Sequence, residues 1–292
     1  MKSFSLTTKE AICKSIPTKP CCIDAEIMGF LLFSGRILKD KITVSSESDE
    51  ILKHFAVLVK RSSQSAVLVE KKKNGYTSVL PHKKLMDMIL SYETTEKSLS
   101  ELYLKDDCCR YAFLKGAFLS GGILVDPVKN YNLEFIAATE GVQNDFGALL
   151  DEMGFEFKKT KRRSSFVLYS KQSDTICDVL TAVGAFSAHM EILNVKIEKE
   201  MRNDWNRLFN SENANFDKVV KASARQIHAI QKIENTIGLE SLPDDLREIA
   251  ILRLENKDLS LEALGEKMVP KLSKSGVNHR IKKILDIAEN KL

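Results

Sequence analysis

No run of 18 apolar residues occurs in the 292-residue sequence, which excludes a membrane-spanning helix of ordinary length. The start, MKSFSLTTKE, lacks the apolar stretch that a secretory signal needs, so the expected compartment is the cytoplasm. Cysteine occurs six times, at Cys13, Cys21, Cys22, Cys108, Cys109 and Cys177, but never as C-x-x-C and never with a histidine at finger spacing. That argues against the usual zinc modules, and the reading is buried thiols, no metal site and no cofactor. The histidines are scattered: His54 and His82 read as surface or helix-start residues, His189 has no second histidine nearby, and His228 falls mid-helix. Charge of one sign is scarce as well. The balance of 44 Lys and Arg against 40 Asp and Glu leaves +4, which permits nucleic-acid binding without requiring it. What the chain does have is 43% apolar residues, enough for a sizeable core in two domains, or in one pseudo-repeated domain with an appendage.

The most informative segment is the C-terminal one. Leu259, Leu261, Leu264 and Met268 form one apolar face, and Val277, Ile281, Ile284 and Ile287 or Ala288 form another at helical spacing. Pro270 should end the first helix, and Ser273 or Ser275 can cap the second, leaving a link short enough for a helix-turn-helix. From Pro270 to Leu285 the chain carries Lys271, Lys274, Arg280, Lys282 and Lys283 and no acid. These cations would meet phosphates, while Ser273, Ser275, Asn278 and His279 lie near the helix start, where a recognition helix meets base edges. The competing reading is a helical hairpin with a solvated basic face.

A repeat organises the first two-thirds. CCIDAEIMGFLLFSG at Cys21 to Gly35 is echoed 87 residues later by CCRYAFLKGAFLSGG at Cys108 to Gly122. Gly29 and Gly116, followed by Gly35 and Gly122, interrupt otherwise apolar helices and let the two copies cross with their backbones close. After the first copy the pattern predicts a strand near Lys41 to Ser45, a helix over Ser48 to Lys60, a hairpin from Ser65 to Leu80 turning at Asn74-Gly75, and a helix from His82 to Leu90. After the second it predicts a strand at Tyr131 to Ala137, a helix over Val142 to Met153, a hairpin from Phe155 to Ser170, and a helix from Ser173 to Phe186. The fold class is α+β, a pseudo-twofold domain of two αββαββ-type halves at about 1–95 and 106–200, joined by a linker around Ser91 to Asp107 and followed by an all-α domain at 201–292.

Cations gather at both hairpin tips: Lys71, Lys72 and Lys73 at the first, and Lys158, Lys159, Lys161, Arg162 and Arg163 at the second. Such strands can lie along a duplex backbone, or the charges can be solubilising turns; spacing leaves both open. Downstream, Trp205, Leu208 and Phe209 give a helix an apolar side beside Arg207, and SENANFDK predicts a break around Ser211 to Asn215. Asn203, Asn213 and Asn215 then read as caps or as phosphate contacts. A long helix should end near Gly238, and SLPDDLREIAILRLENKD from Ser241 adds another, giving four helices in the last domain.

The paired helices resemble those of LAGLIDADG homing endonucleases. With YAFLKGAFLSGGILVDPVKNYNLEF at Tyr111 to Phe135, RNDWNRLFNSENANFDKVVKASARQI at Arg202 to Ile227 and LSKSGVNHRIKKILDIA at Leu272 to Ala288, nearly the whole chain resembles the WhiA family of bacterial sporulation and cell-division regulators. In the nucleases, an acid just before each helix's final glycine holds the divalent metals. The equivalent positions are Ser34 and Gly121, and neither supplies a carboxylate. Asp126, with Asp40 in a loosely similar place, keeps a divalent-metal-dependent endonuclease as a third reading, although Asp126 before Pro127 reads as a turn residue.

The resemblance implies a LAGLIDADG-like region followed by a helix-turn-helix. It also implies a non-enzymatic, DNA-binding transcriptional regulator of sporulation or cell division, associated with the nucleoid. Its expected partners are double-stranded promoter DNA and a regulatory or sigma-factor protein. The second reading is a protein-interaction platform with a non-specific DNA-binding tail.

Overall fold

The two apolar segments of the repeat form helices that cross at their glycines. In the computed structural model, which describes residues 2–38, 41–64, 66–73, 75–80, 83–94, 99 and 104–290, α1 (Phe4–Ile12) precedes α2 (Pro20–Ser34). Pro20 opens α2 at a position where its fixed φ suits the first turn and its missing N–H costs nothing. From Ile27 to Phe33 every α2 residue is buried, as befits a helix that is apolar all round. Its partner α5 (Asp107–Gly121) crosses it so closely that a Cβ on Gly29 would strike Phe113 O, and one on Gly116 would strike Glu26 O. Only glycine permits that approach, as the repeat predicts.

Each long helix feeds directly into a four-stranded antiparallel sheet. The first half continues with β1 (Gly35–Leu38), β2 (Lys41–Ser46), α3 (Asp49–Ser63), β3 (Leu68–Lys72), β4 (Gly75–Leu80) and α4 (Lys83–Thr94). The second follows α5 with β5 (Gly122–Leu124), β6 (Leu133–Ala137), α6 (Glu140–Glu152), β7 (Lys158–Arg162), β8 (Ser165–Ser170) and α7 (Ser173–Ala182). Strand orders are β1-β2-β4-β3 and β5-β6-β8-β7, the same topology twice. In β6, Leu133, Phe135 and Ala137 are buried while Glu134 and Ile136 are partly open, so one face packs on helices and the other faces out. Aromatic rings lock this core: Phe33 lies 4.9 Å from Phe146, and Phe30 lies 5.0 Å from Phe55.

The α+β class and the αββαββ-type halves stand, with additions. Strands β1 and β5 are not foreseen by the hydrophobic pattern because they are short and begin at the glycines that end the preceding helices. Nor is helix α1, which is capped by Ser3 Oγ accepting from Leu6 N at 3.1 Å. His54, expected at the surface, is buried: its Nδ1 lies 2.8 Å from Cys13 O and its Nε2 2.6 Å from Glu26 Oε1. Thiol burial also differs, since Cys21 is exposed and Cys13 and Cys108 are only partly covered. Asp40, Asn74, His82, Ser65 and much of the interhalf linker fall outside the described residues.

The chain folds as two compact units, Met1–Glu198 and Lys199–Leu292. The helix α8 (Phe186–Thr236) contributes residues to both. It runs unbroken through Ser211 to Asn215, against the predicted interruption. The reason is energetic: Asn and Ser cost only a few tenths of a kcal/mol each in a helix, on the order of 0.5, and no glycine or proline lies between Gly184 and Gly238. Gly238, at φ 76°, ends it as expected. The second unit continues through a 3₁₀ turn (Leu239–Ser241), α9 (Asp244–Glu255), α10 (Leu261–Lys267) and α11 (Lys274–Asn290). Ile230, Ile233, Ile249, Leu264, Val277, Ile281 and Ile284 close its core.

Candidate DNA-binding interface

The turn between α10 and α11 is built by short-range contacts. Ser260 Oγ accepts from Ala263 N at 3.2 Å to start α10, and Ser273 Oγ accepts from Gly276 N at 3.3 Å to start α11. Leu272 N donates to Gly265 O at 3.0 Å, and a Cβ on Gly265 would strike Leu272 O, so the chain folds back tightly after α10. Arg253 braces the preceding loop from inside. It is fully buried, donates through Nη1 to Leu259 O at 2.6 Å, and burial lowers its pKa. Nothing in the sequence marks it, because an arginine in a helix that also carries Arg247 and several acids looks like a surface residue.

With Val277, Ile281, Ile284 and Ala288 buried, the opposite side of α11 is free. Ser275, Asn278, His279 and Lys282 are exposed and follow i, i+3, i+4 and i+7 spacing, which places them in one row. Lys271, Ser273 and Lys274 are exposed at the helix start, and Lys283 flanks the row. Arg280 is placed differently: its Nη1 donates to Asp245 O at 3.4 Å and its Nε lies 3.8 Å from Asp245 Oδ2, tying it to α9. Asp286 is exposed one turn beyond Lys282, so the row ends on an acid.

The cations of the first unit do not share one surface. Strand alternation puts Lys159 and Lys161 on the helix side of their sheet, where Lys159 Nζ meets Asn144 Oδ1 at 3.2 Å and Lys161 sits 4.8 Å from the Phe166 ring. Lys158 and Arg162 are on the outer side, and Arg162 pairs with Glu134 at 2.9 Å. Arg163 occupies the turn at φ 54°. In the first half Lys72 pairs with Glu70 at 2.7 Å, with Lys71 and Lys73 exposed beside it. Arg207, on α8, lies 3.4 Å from Asp204.

At the helix ends, Ser34 Oγ donates to Phe30 O at 3.1 Å, and Gly121 has the Phe33 side chain where a Cβ would be. Asp126 forms a turn, accepting from Val128 N at 2.9 Å on its carboxylate and from Lys129 N at 3.0 Å on its carbonyl.

Comparison with known proteins matches these two regions separately. A family model described as the WhiA C-terminal HTH domain matches residues 205–288, and one described as the WhiA LAGLIDADG-like domain matches 110–202. The probable cell division protein WhiA of Alkaliphilus metalliredigens is 36% identical, covering 98% of each chain. The chain belongs to the WhiA family. The probable cell division protein WhiA of Caldicellulosiruptor bescii is 39% identical over 98% of this chain and 95% of its own. The crystal structure of full-length WhiA from Thermatoga maritima is similar with a TM-score of 0.64 and 30% identity, over 99% of this chain and 98% of that one. The WhiA HTH match takes in α9 and α10 and all of Lys271 to Lys283, so the exposed row lies inside it. The first half of the repeat lies outside the WhiA LAGLIDADG-like match, but the full-length relatives cover it.

Proposed function

We propose that this WhiA-family chain is a non-enzymatic transcriptional regulator of cell division or sporulation that binds promoter DNA through α11. The observation that carries the reading is the exposed row Ser275, Asn278, His279 and Lys282 on a capped helix opposite its buried face. A helix so presented fits the major groove, with its amide and serine groups at base edges and Lys271, Lys274 and Lys283 at phosphates. Ser34 and Gly121 at the helix ends support a role without strand cleavage, since neither can anchor a metal-bound water. Such a regulator works at the nucleoid.

The outer sheet faces favour a second role for the first unit. With Arg162 held by Glu134 and Lys72 by Glu70, the charge there is mixed, which suits a regulatory protein such as a sigma factor better than a phosphate backbone.

The test is binding of the full chain to its own promoter region and to a random duplex of equal length across a salt series, with magnesium present and the DNA examined for cuts. Tighter promoter binding with intact DNA is expected. Equal affinity for both duplexes would overturn sequence reading by α11, and cleavage would overturn the non-enzymatic assignment.

A further inference from the structure

The first turns of α2 and α5 bring four cysteines to one place. Cys21 and Cys22 are the second and third residues of α2, and Cys108 and Cys109 hold the same positions in α5. Because the helices pack as a pseudo-twofold pair, the doublets meet, and all four sulfurs lie within 4.8 Å of one another. Cys21 Sγ and Cys22 Sγ are 4.0 Å apart. Four thiolates around a zinc ion, with Zn–S bonds of about 2.3 Å, have sulfurs about 3.8 Å apart. The cluster therefore needs only a small inward contraction to enclose an ion.

Both doublets sit in the first turn of a helix, near the positive end of its dipole, and Lys19 Nζ lies 3.9 Å from Cys108 Sγ. Cys22 and Cys109 are buried, whereas Cys21 is exposed and Cys108 partly so, which leaves an entry path on one side and a firm floor on the other. Among the described residues no histidine or carboxylate joins the set, so its softness selects a thiophilic ion over magnesium or calcium.

We propose that Cys21, Cys22, Cys108 and Cys109 form a structural zinc site that fastens the two halves of the repeat together. Zinc displaces four thiol protons and leaves a tetrathiolate centre of net charge −2, which the helix starts and Lys19 offset. All four positions are filled by protein, so the ion has no open position for a substrate. It acts as a cross-link: loss of metal frees one end of the α2–α5 pair while the glycine crossing holds the middle.

The experiment uses the full chain purified under reducing conditions without chelator. Elemental mass spectrometry should find one zinc per chain, released by a mercurial that blocks thiols. Cobalt(II) replacement should give the intense visible absorption of a tetrahedral thiolate centre. Cys21→Ser with Cys108→Ser, which alters the two more accessible sulfurs, should abolish both signals and lower the thermal midpoint of the first unit. A reduced, folded wild-type chain that takes up neither zinc nor cobalt overturns the proposal, whatever the variant does. So does an intact mass four hydrogens lighter with peptides cross-linked between the doublets, because the sulfurs would then be paired as disulfides.

Discussion

Glu26 and Lys115 face each other across the crossing of α2 and α5, with 3.2 Å between Oε1 and Nζ and almost no solvent at either side chain. Glu26 Oε1 also takes His54 at 2.6 Å, and Lys115 donates to Ser15 O, so one carboxylate ties together α2, α3 and α5 and the loop after α1. The pair joins positions that are not equivalent in the repeat: it is a link between halves that duplication alone would not create.

Removing one partner of such a pair leaves the other charge buried. Lys115→Met should destabilise the first unit by about 3–5 kcal/mol, and adding Glu26→Gln should recover part of that loss. All six tyrosines lie in Met1–Glu198, and the single tryptophan, Trp205, lies in the other unit. Urea unfolding followed by tyrosine emission therefore reads the effect; an unchanged midpoint would show that the pair is not sealed from water.

The glycine crossing makes a sharper structural demand. A Cβ at Gly29 or Gly116 meets backbone oxygen, which cannot rotate aside, so either Ala substitution should cost about 3 kcal/mol or more. Gly141 is the control. A Cβ there has only Thr139 Oγ1 at 3.9 Å, and Gly141→Ala in α6 should be neutral or stabilising by up to about 1 kcal/mol. Equal losses at all three sites in denaturant titrations would contradict the close crossing.

Two neighbouring cations on α11 should behave differently. Lys283→Ala should weaken DNA binding and reduce the magnitude of the slope of log affinity against log salt by about 0.9, the release of one phosphate counterion. Arg280→Ala, which removes a side chain tied to Asp245, should leave that slope nearly unchanged and lower the stability of the second unit instead. Fluorescence anisotropy across a salt series separates the two; a larger slope change for Arg280 would mean that it leaves Asp245 when DNA arrives.

Lys9 gives the first unit a pH dependence of unusual sign. Burial brings its pKa down to about 8 from an ordinary 10.5, against a weaker upward pull from Glu47. The unfolded chain keeps this proton up to the ordinary value, whereas the folded chain releases it from about 8 upward. Between the two the unfolded state binds more protons, so this group makes stability rise with pH. Lys9→Met should flatten that rise relative to wild type in circular-dichroism melts and stabilise the unit below pH 8. Parallel curves would show that Lys9 stays hydrated.

The fold was legible where the sequence repeats a physical requirement. Gly29 and Gly116 announced the helix crossing, and Val277, Ile281 and Ile284 announced the buried side of α11, because spacing alone dictates both. What escaped was set by the tertiary structure. The Glu26–His54–Lys115 link joins residues that no periodicity relates. The cysteine cluster escaped because its ligands are two doublets 87 residues apart, and their repetition within the two helices was the available signal. The break expected at Ser211 to Asn215 failed because turn-prone side chains without glycine or proline do not end a helix.

The exposed row of α11 also sets a limit on information. From Ser275 to Lys282 the helix rises about 10 Å at 1.5 Å per residue, and the acid at Asp286 discourages a longer run beside phosphates. At about 3.4 Å per base pair, that length addresses three or four pairs, a word that recurs by chance within a few hundred. A reader of this reach cannot distinguish one promoter in a genome. If α11 is the reader proposed above, selective occupancy requires several such words read together, and the arrangement of sites along the DNA then carries as much meaning as the letters beneath any one helix.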